Sequence, residues 1–503
     1  MKKLKFPRLA YNWLSGIGIV GAVITILLMT FLYVIGIFTR VTNPYLGIFL
    51  YMVLPPILVV SLLLIPLGMF RTWRRVRKTG EVSYPSWPYV DLNQKSHRNA
   101  ALVFILGTGL FVLVSAVGGY EAYHYSESVA FCGKTCHTVM KPEFTAYQNS
   151  PHARVACVAC HVGPGADWFA KSKISGLYQV YAVIANVYPR PIETPIRNLR
   201  PARETCEQCH WPAKFFGGQQ RVFNHYMYDH DNTRWSINLL VKTGGGNPEV
   251  GRPSGIHWHT FLTNNIEYIA RDRQLQNIPW VRATNIETGK ATVYRDKENP
   301  LSDEEIAAAT PRRFDCMDCH NRPSHIYHSP DYDADIAMEA GRINTTLPDI
   351  KQVAVKAMAA KYENDTAATN GIAGAITEYY RDHYPEIIKT RPDDINDAIA
   401  AVQDKYAQSI FPEMKVRWEV YPDNIGHFIS PGCMRCHTGS LTTEDGHILS
   451  RDCTICHTII SQGKDGATVM ATSPDGLEFV HPEDIDEAWK EMNCNECHSG
   501  TQP

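Results

Sequence analysis

The chain has 503 residues, 45% of them hydrophobic and 20% charged, and a formal net charge of only −2. The near-neutrality is uneven: residues 120–503 hold 37 of the 49 basic and 49 of the 51 acidic residues, a net charge of −12. Such a surface excludes nucleic acid as a partner and suits basic soluble proteins, because a field of one sign steers the opposite one; that the acid excess only keeps the domain soluble is the plain alternative.

The first 119 residues read as a membrane anchor. Leu14–Thr39 and Tyr45–Phe70 each run 26 residues without a charge, and Ala100–Gly119 adds 20 more. Each can cross a hydrocarbon core of about 30 Å as a helix, so three transmembrane helices are expected at about 14–39, 45–70 and 100–119. The first is too long for a cleaved leader, and no A-x-A site follows it. Pro55, Pro56 and Pro66 predict a kink in the second. Gly18 and Ala22 have the small-xxx-small spacing of helix pairs. Lys2, Lys3, Lys5 and Arg8 precede the first span, and the loop 71–98 carries Arg71, Arg74, Arg75, Arg77, Lys78, Lys95 and Arg98. The excess of cationic residues assigns both segments to the cytoplasm and residues 120–503 to the outer side. No histidine, Asp, Glu or Lys interrupts the spans, which therefore predict an anchor or docking surface in contact with lipid, not a proton path.

Beyond residue 119 all 14 cysteines fall into seven pairs, each followed at once by a histidine. The sites are Cys132/Cys136-His137, Cys157/Cys160-His161, Cys206/Cys209-His210, Cys316/Cys319-His320, Cys433/Cys436-His437, Cys453/Cys456-His457 and Cys494/Cys497-His498. Six read CxxCH; the first reads CxxxCH. Two thiols that can form thioethers and an imidazole beside them are what covalent c-type haem requires. A lone CxxC would suit zinc or a redox disulfide; the sevenfold repetition does not. Seven covalently bound c-type haems are expected, in an oxidising compartment outside a bacterial inner membrane.

The sites fall into a group of four and a group of three. The expected fold is a multihaem cytochrome c, loop- and helix-rich with little regular sheet: three N-terminal transmembrane helices plus a large outer haem domain. Within it we expect a four-haem domain over 120–330, a helical spacer over 331–420 and a three-haem domain over 421–503. An insert over 215–300 has strand-like alternation at Ser236–Val241, Asn265–Ala270, Trp280–Thr284 and Ala291–Arg295, with a turn at Glu287–Lys290 and a glycine loop at Gly244, Gly245 and Gly246. The spacer shows helical periodicity over 348–362, 366–383 and 392–410.

Twelve further histidines lie in the outer part and supply candidates for the far side of each iron. His427, His447 and His481 accompany the last three sites. In the first group His152 precedes the second site, His325 follows the fourth, and one of His225, His230, His257 and His259 completes the set. His257 and His259, two apart, would share the face of a strand. His124, His328 and His383 are left as spares. Met140 is the candidate ligand at the first site, with a packing methionine as the alternative.

Residues 131–162, FCGKTCHTVMKPEFTAYQNSPHARVACVACHV, resemble the first two haem sites of the NapC/NirT membrane quinol dehydrogenases, over about residues 99–330 with inserts. The resemblance implies that the first haem sits at the membrane surface beside a quinol site, with Met140 as its ligand and His152 and His325 as distal ligands elsewhere in the group. The chain departs from the family in having CxxxCH where CxxCHxM is usual. It also lacks an acidic residue in Ile174–Ala182, after Lys171 and Lys173. Lys173, Gln179 and Glu143 are the candidates for the quinol base. The expected function is a menaquinol dehydrogenase drawing on the quinol pool and passing electrons to periplasmic, basic multihaem cytochromes in anaerobic or extracellular respiration. A passive electron-transfer subunit and a nitrite- or hydroxylamine-type reductase are the alternatives.

Overall fold

The structure, a computed structural model, describes residues 8–39, 53–79, 91–135, 137–163, 165–196, 200–215, 217–244, 255–261 and 263–501. Lys2, Lys3, Lys5, the predicted start of the second span, the centre of the basic loop, Cys136, Gly245 and Gly246 lie outside the described residues. The chain divides into two compact units, Met1–His124 with Pro164–Ala170, and Tyr125–Gly163 with Lys171–Pro503.

The first unit contains three helices long and apolar enough to cross a membrane, Trp13–Thr39, Leu54–Thr79 and Lys95–Ser126. The first two pack through small residues. The Ser15 hydroxyl donates to the Ile65 carbonyl at 2.9 Å, Ala22 is buried, and a Cβ on Gly18 would stand 2.6 Å from the Ser61 carbonyl oxygen. The small-residue spacing therefore marks a real contact face, where backbones approach as only glycine permits. The second helix passes through Pro66 and continues beyond Phe70 to Thr79, so Arg71–Lys78, predicted as loop, form its cationic last turns. The third helix also outruns its apolar core at both ends, and none of its residues is buried.

The second unit carries nine strands among its described residues: β1 (Gln219–Tyr226), β2 (Arg234–Val241), β3 (Asn264–Ile269), β4 (Trp280–Asn285), β5 (Ala291–Asp296), β6 (Arg312–Arg313), β7 (Leu441–Thr442), β8 (His457–Lys464) and β9 (Val469–Met470). The four predicted strands coincide with β2 to β5, the second overrunning β3 by Ala270, and the β4–β5 turn closes with Asn285 donating to the Lys290 carbonyl at 2.9 Å. The strands form two antiparallel sheets, ordered β1-β2-β8-β9 and β6-β3-β4-β5-β7. Each sheet draws strands from both the insert and the last cysteine-bearing segment. Val241 of β2 faces His457, the histidine that opens β8, and Asp296 of β5 faces Leu441 of β7.

Between the two cysteine groups lies a helical layer, Pro330–Glu339, Ile350–Ala359, Asp365–His383, Pro385–Thr390 and Pro392–Ser409. Its apolar positions recur at helical spacing and close on one core: Ala334, Leu347, Ile350, Ile372, Ile376 and Val402 have no exposed surface. Burial of such side chains is worth about 1.5–3 kcal/mol each. The layer also buries charge. Lys351 is wholly enclosed and its ammonium pairs with Asp331 at 2.9 Å and with Asp335. Asp333 accepts from the Ser409 hydroxyl at 2.6 Å, and burial pushes its carboxyl up to about 7. A carboxyl raised in the fold is favoured when protonated, so its contribution is intact at low pH. It is lost as pH rises from the ordinary carboxylate value through about 7. Asp333→Asn is expected to flatten that part of the stability profile; an unfolding midpoint with the same slope between pH 4 and 7 as the parent, about a carboxyl's unfolded-to-folded range, would refute it.

Candidate haem-binding sites

The attachment loops are short helical turns. Cys157–His161, Ala202–Cys206, Cys316–Cys319 and Cys494–Cys497 are single turns of α-helix, and the fifth and sixth sites lie on 3-10 turns. A turn of this kind points two thiols to one side and carries the histidine out at its end. At the third, fourth, fifth and seventh sites the amide of the motif histidine donates to the carbonyl of the first cysteine: His210 to Cys206 at 2.8 Å, His320 to Cys316 at 2.8 Å, His437 to Cys433 at 3.2 Å and His498 to Cys494 at 2.8 Å. At the second, Val162 and Gly163 both donate to the Val158 carbonyl.

Six motif histidines each face one further histidine. The ring centroids are 6.3 Å apart for His161 and His325, 6.1 Å for His210 and His152, 6.4 Å for His320 and His257. They are 6.0 Å apart for His437 and His259, 6.3 Å for His457 and His427, and 6.0 Å for His498 and His481. Two imidazoles on opposite sides of one metal ion, with metal–nitrogen bonds of about 2 Å and the centroid about 1.1 Å behind the nitrogen, would stand about 6.2 Å apart. The donor set and its spacing fit haem iron. The Nδ1 atoms are also committed elsewhere: His152 donates to the Pro323 carbonyl at 3.0 Å, His325 to the Glu143 carbonyl at 3.0 Å, His257 to the Thr243 carbonyl at 2.8 Å and His259 to the Ile256 carbonyl at 2.7 Å. Each leaves Nε2 for the metal, the arrangement that fixes a ligand's tautomer and orientation. Burial pushes His325 down to about 4 and lowers His259 and His427, keeping these imidazoles in the neutral form that binds metal.

The pairing does not follow proximity in the sequence. His152 lies just before the second motif but faces the third; His325 lies just after the fourth but faces the second. The insert contributes two partners, not one, because His257 and His259 are on a 3-10 turn, Ile256–Thr260, and not on a strand. His447 rests near the ring of Tyr294, at 6.4 Å. His225 bonds Asp335 at 3.2 Å, and His230 bonds the Tyr384 hydroxyl at 3.2 Å. His328 stacks on Tyr332 and is pushed down to about 4 by burial.

The first site differs. Its histidine opens the helix His137–Gln148, and Met140 lies one turn further along, half-buried. A cavity of about 350 Å3 beside it is lined by Gly133, Lys134, Thr138, Lys141, Phe144 and Glu413. The three quinol-base candidates have different neighbours. Lys173 reaches Ser126 at 3.4 Å and Gln179 reaches Ser175 at 3.5 Å, both on the helix Ala166–Ile184. Glu143 turns inward, where burial raises its carboxyl against the opposing pull of Arg322.

Successive attachment sites adjoin one another in sequence order. The thiol of Cys157 bonds that of Cys132, and Cys206 bonds Cys316. Cys160 lies within electrostatic range of Cys209, Cys319 of Cys433, Cys456 of Cys433, and Cys494 of Cys453. Two arginines tie these loops together and were not singled out in the sequence. Arg435, inside the fifth motif, donates to the Leu275 carbonyl at 2.9 Å and to the carbonyl of Asp318 in the fourth. Arg451 donates to the carbonyls of Glu491 and Met492 at 3.0 and 2.8 Å, joining the sixth loop to the seventh. The only sequence signal was an arginine within or just before a CxxC loop.

Residues 94–192 match the NapC/NirT cytochrome c family, N-terminal region. The chain is 45% identical over 491 residues to the cytochrome c-type protein ImcH of Geobacter sulfurreducens (strain ATCC 51573 / DSM 12127 / PCA), covering 97% of this chain and 95% of that protein. No solved structure matches it. Similar over nearly its whole length to such a cytochrome, with three helices able to cross a membrane, the chain belongs to the NapC/NirT-type membrane-anchored c-type cytochromes, electron-transfer proteins that hold haem covalently.

Proposed function

We propose that this protein is a quinol dehydrogenase of the bacterial inner membrane, with its haem domain in the periplasm and seven haems along the outer part. The observation that carries the reading is the pairing of the sites: six motif histidines face a second histidine at 6.0–6.4 Å, and Gly133 and Lys134 of the first attachment loop line a cavity. Imidazoles on both faces of an iron favour electron transfer over substrate binding, which disfavours a nitrite-type reductase. The haem supplies one-electron chemistry when bound; the chain supplies ligands, spacing and access.

The helix Ala166–Ile184 supports a site at the membrane surface. It exposes Ile174, Leu177, Tyr178, Tyr181 and Ile184, each at least 60% accessible, beside Lys171 and Lys173. An apolar row with aromatic and basic flanks is the composition of a helix lying in a lipid interface. Menaquinol would lose two electrons and two protons there and leave as menaquinone. Of the three candidates, the Glu143 carboxylate can accept a proton, while Lys173 and Gln179 would hydrogen-bond the quinol oxygens. The two electrons would go, one each, to two soluble cytochromes whose basic surfaces match the acidic domain.

The purified oxidised protein is expected to show seven haems per chain by pyridine haemochrome, and a menaquinol analogue should reduce it, with an inhibitor abolishing the change in the α-band. Reduction by dithionite but not by the quinol would overturn the dehydrogenase reading in favour of a passive electron-transfer subunit.

A further inference from the structure

His257 and His259 stand two residues apart yet face different motifs. The 3-10 turn Ile256–Thr260 explains this, because with three residues per turn the positions i and i+2 diverge by about 120°. His257 meets His320 of the fourth site with ring planes 7° apart; His259 meets His437 of the fifth with planes 88° apart. The turn is held by its base. Ile256 donates to the Lys242 carbonyl at 2.9 Å, and the Thr243 carbonyl accepts from both the amide and Nδ1 of His257. Gly255, with φ +80°, brings the chain so close that a Cβ would lie 2.4 Å from the Lys242 oxygen. Lys242 and Thr243 follow directly on β2, and β2 pairs with β8. On the other side Asn264 donates to the Trp258 carbonyl at 2.8 Å.

Two further contacts join the same pair of sites without this turn. Arg435 of the fifth motif bonds the Asp318 carbonyl of the fourth, and Cys319 lies within electrostatic range of Cys433 and Cys436. The sequence divides into four and three at this point, across more than a hundred residues without cysteine.

We propose that the Ile256–Thr260 turn is the junction between the two haem groups: His257 ligates the fourth iron, His259 the fifth, and an electron passing from the first four sites to the last three crosses here. This rests on the reading of the seven sites as haem. The step moves one electron between neighbouring sites and changes no bond.

The test uses the full-length holoprotein and the variants His257→Met and His259→Met, which keep an iron-binding side chain while raising the potential of the site. Near-parallel imidazoles give a rhombic low-spin electron paramagnetic resonance signal and near-perpendicular ones a highly anisotropic signal. His257→Met is expected to remove one rhombic species and His259→Met one highly anisotropic species. In both, oxidation of the reduced protein by a soluble acceptor should split into a fast and a slow phase where the parent has one. If a variant matures with six haems, mass mapping of the unmodified cysteines reads the same assignment, Cys316 and Cys319 for the first variant and Cys433 and Cys436 for the second. Both variants losing the same species, or neither losing one, would overturn the junction. A parent haem count below seven would instead overturn the reading of the sites.

Discussion

Lys351→Met is expected to destabilise the helical layer by about 3–5 kcal/mol, because removing one partner of a buried ion pair leaves charge uncompensated. Lys351 has no exposed surface, and its ammonium bonds the Asp331 main-chain carbonyl at 2.7 Å besides the two carboxylates. The carboxylates in turn hold the layer to the first sheet: Tyr228 donates to Asp331 at 3.1 Å, and the amide of Tyr226 donates to Asp335 at 2.9 Å. His225, Asp331 and Asp335 lie close enough to attract a cation, but the lysine already occupies both carboxylates. The triple variant Lys351→Met, Asp331→Asn, Asp335→Asn should recover much of the loss, since it removes all three charges together. Denaturant unfolding followed by far-ultraviolet circular dichroism measures both. A single variant as stable as the parent would show that the cluster is not a stabilising keystone.

Removing the fourth attachment pair, Cys316→Ser with Cys319→Ser, should leave six haems and slow quinol-driven reduction of a soluble acceptor by about 100-fold, equivalent to about 2.7 kcal/mol of activation free energy. The reason is the order of the sites, each adjoining the next in sequence order, so a gap in the middle separates the proposed quinol end from the proposed acceptor end. The matched control, Cys494→Ser with Cys497→Ser, removes a terminal site and should cost far less unless acceptors dock only there. Steady-state turnover with haem counts on each variant decides it. Equal losses at the fourth and seventh sites would argue that the acceptor docks at the seventh, and no loss at the fourth would show a branched route.

What could be read in the sequence was whatever is local. Two thiols and a histidine within five or six residues announce a haem site wherever they occur, and uncharged runs such as Leu14–Thr39 announce a helix that can cross a membrane. Strands β2 to β5 were legible for the same reason, as alternation over a few residues. Most distal histidines were legible as candidates, but not which motif each faces, because that is decided by tertiary folding. His447 follows the fifth motif by ten residues yet rests by Tyr294, whereas His259, far upstream, reaches His437. His257 and His259 misled by their spacing: period two suits a strand, and nothing in the side chains announced that Gly255 would bend the chain into a 3-10 turn. Lys351 gave no signal at all, since a lysine in an amphipathic helix ordinarily points to water.

The two sheets that join the insert to the last cysteine-bearing segment govern how the protein is made. A strand that waits for a partner well over a hundred residues downstream keeps a row of amides and carbonyls bare, and such edges recruit other chains. As the polypeptide emerges amino end first, the first four sites are presented for thioether formation while β2 still lacks β8 and β5 still lacks β7. Maturation therefore has a vulnerable interval that ends only when the final hundred residues arrive. A chain cut after residue 330 would remain in that interval permanently, and would be prone to aggregate instead of behaving as a self-contained four-haem fragment.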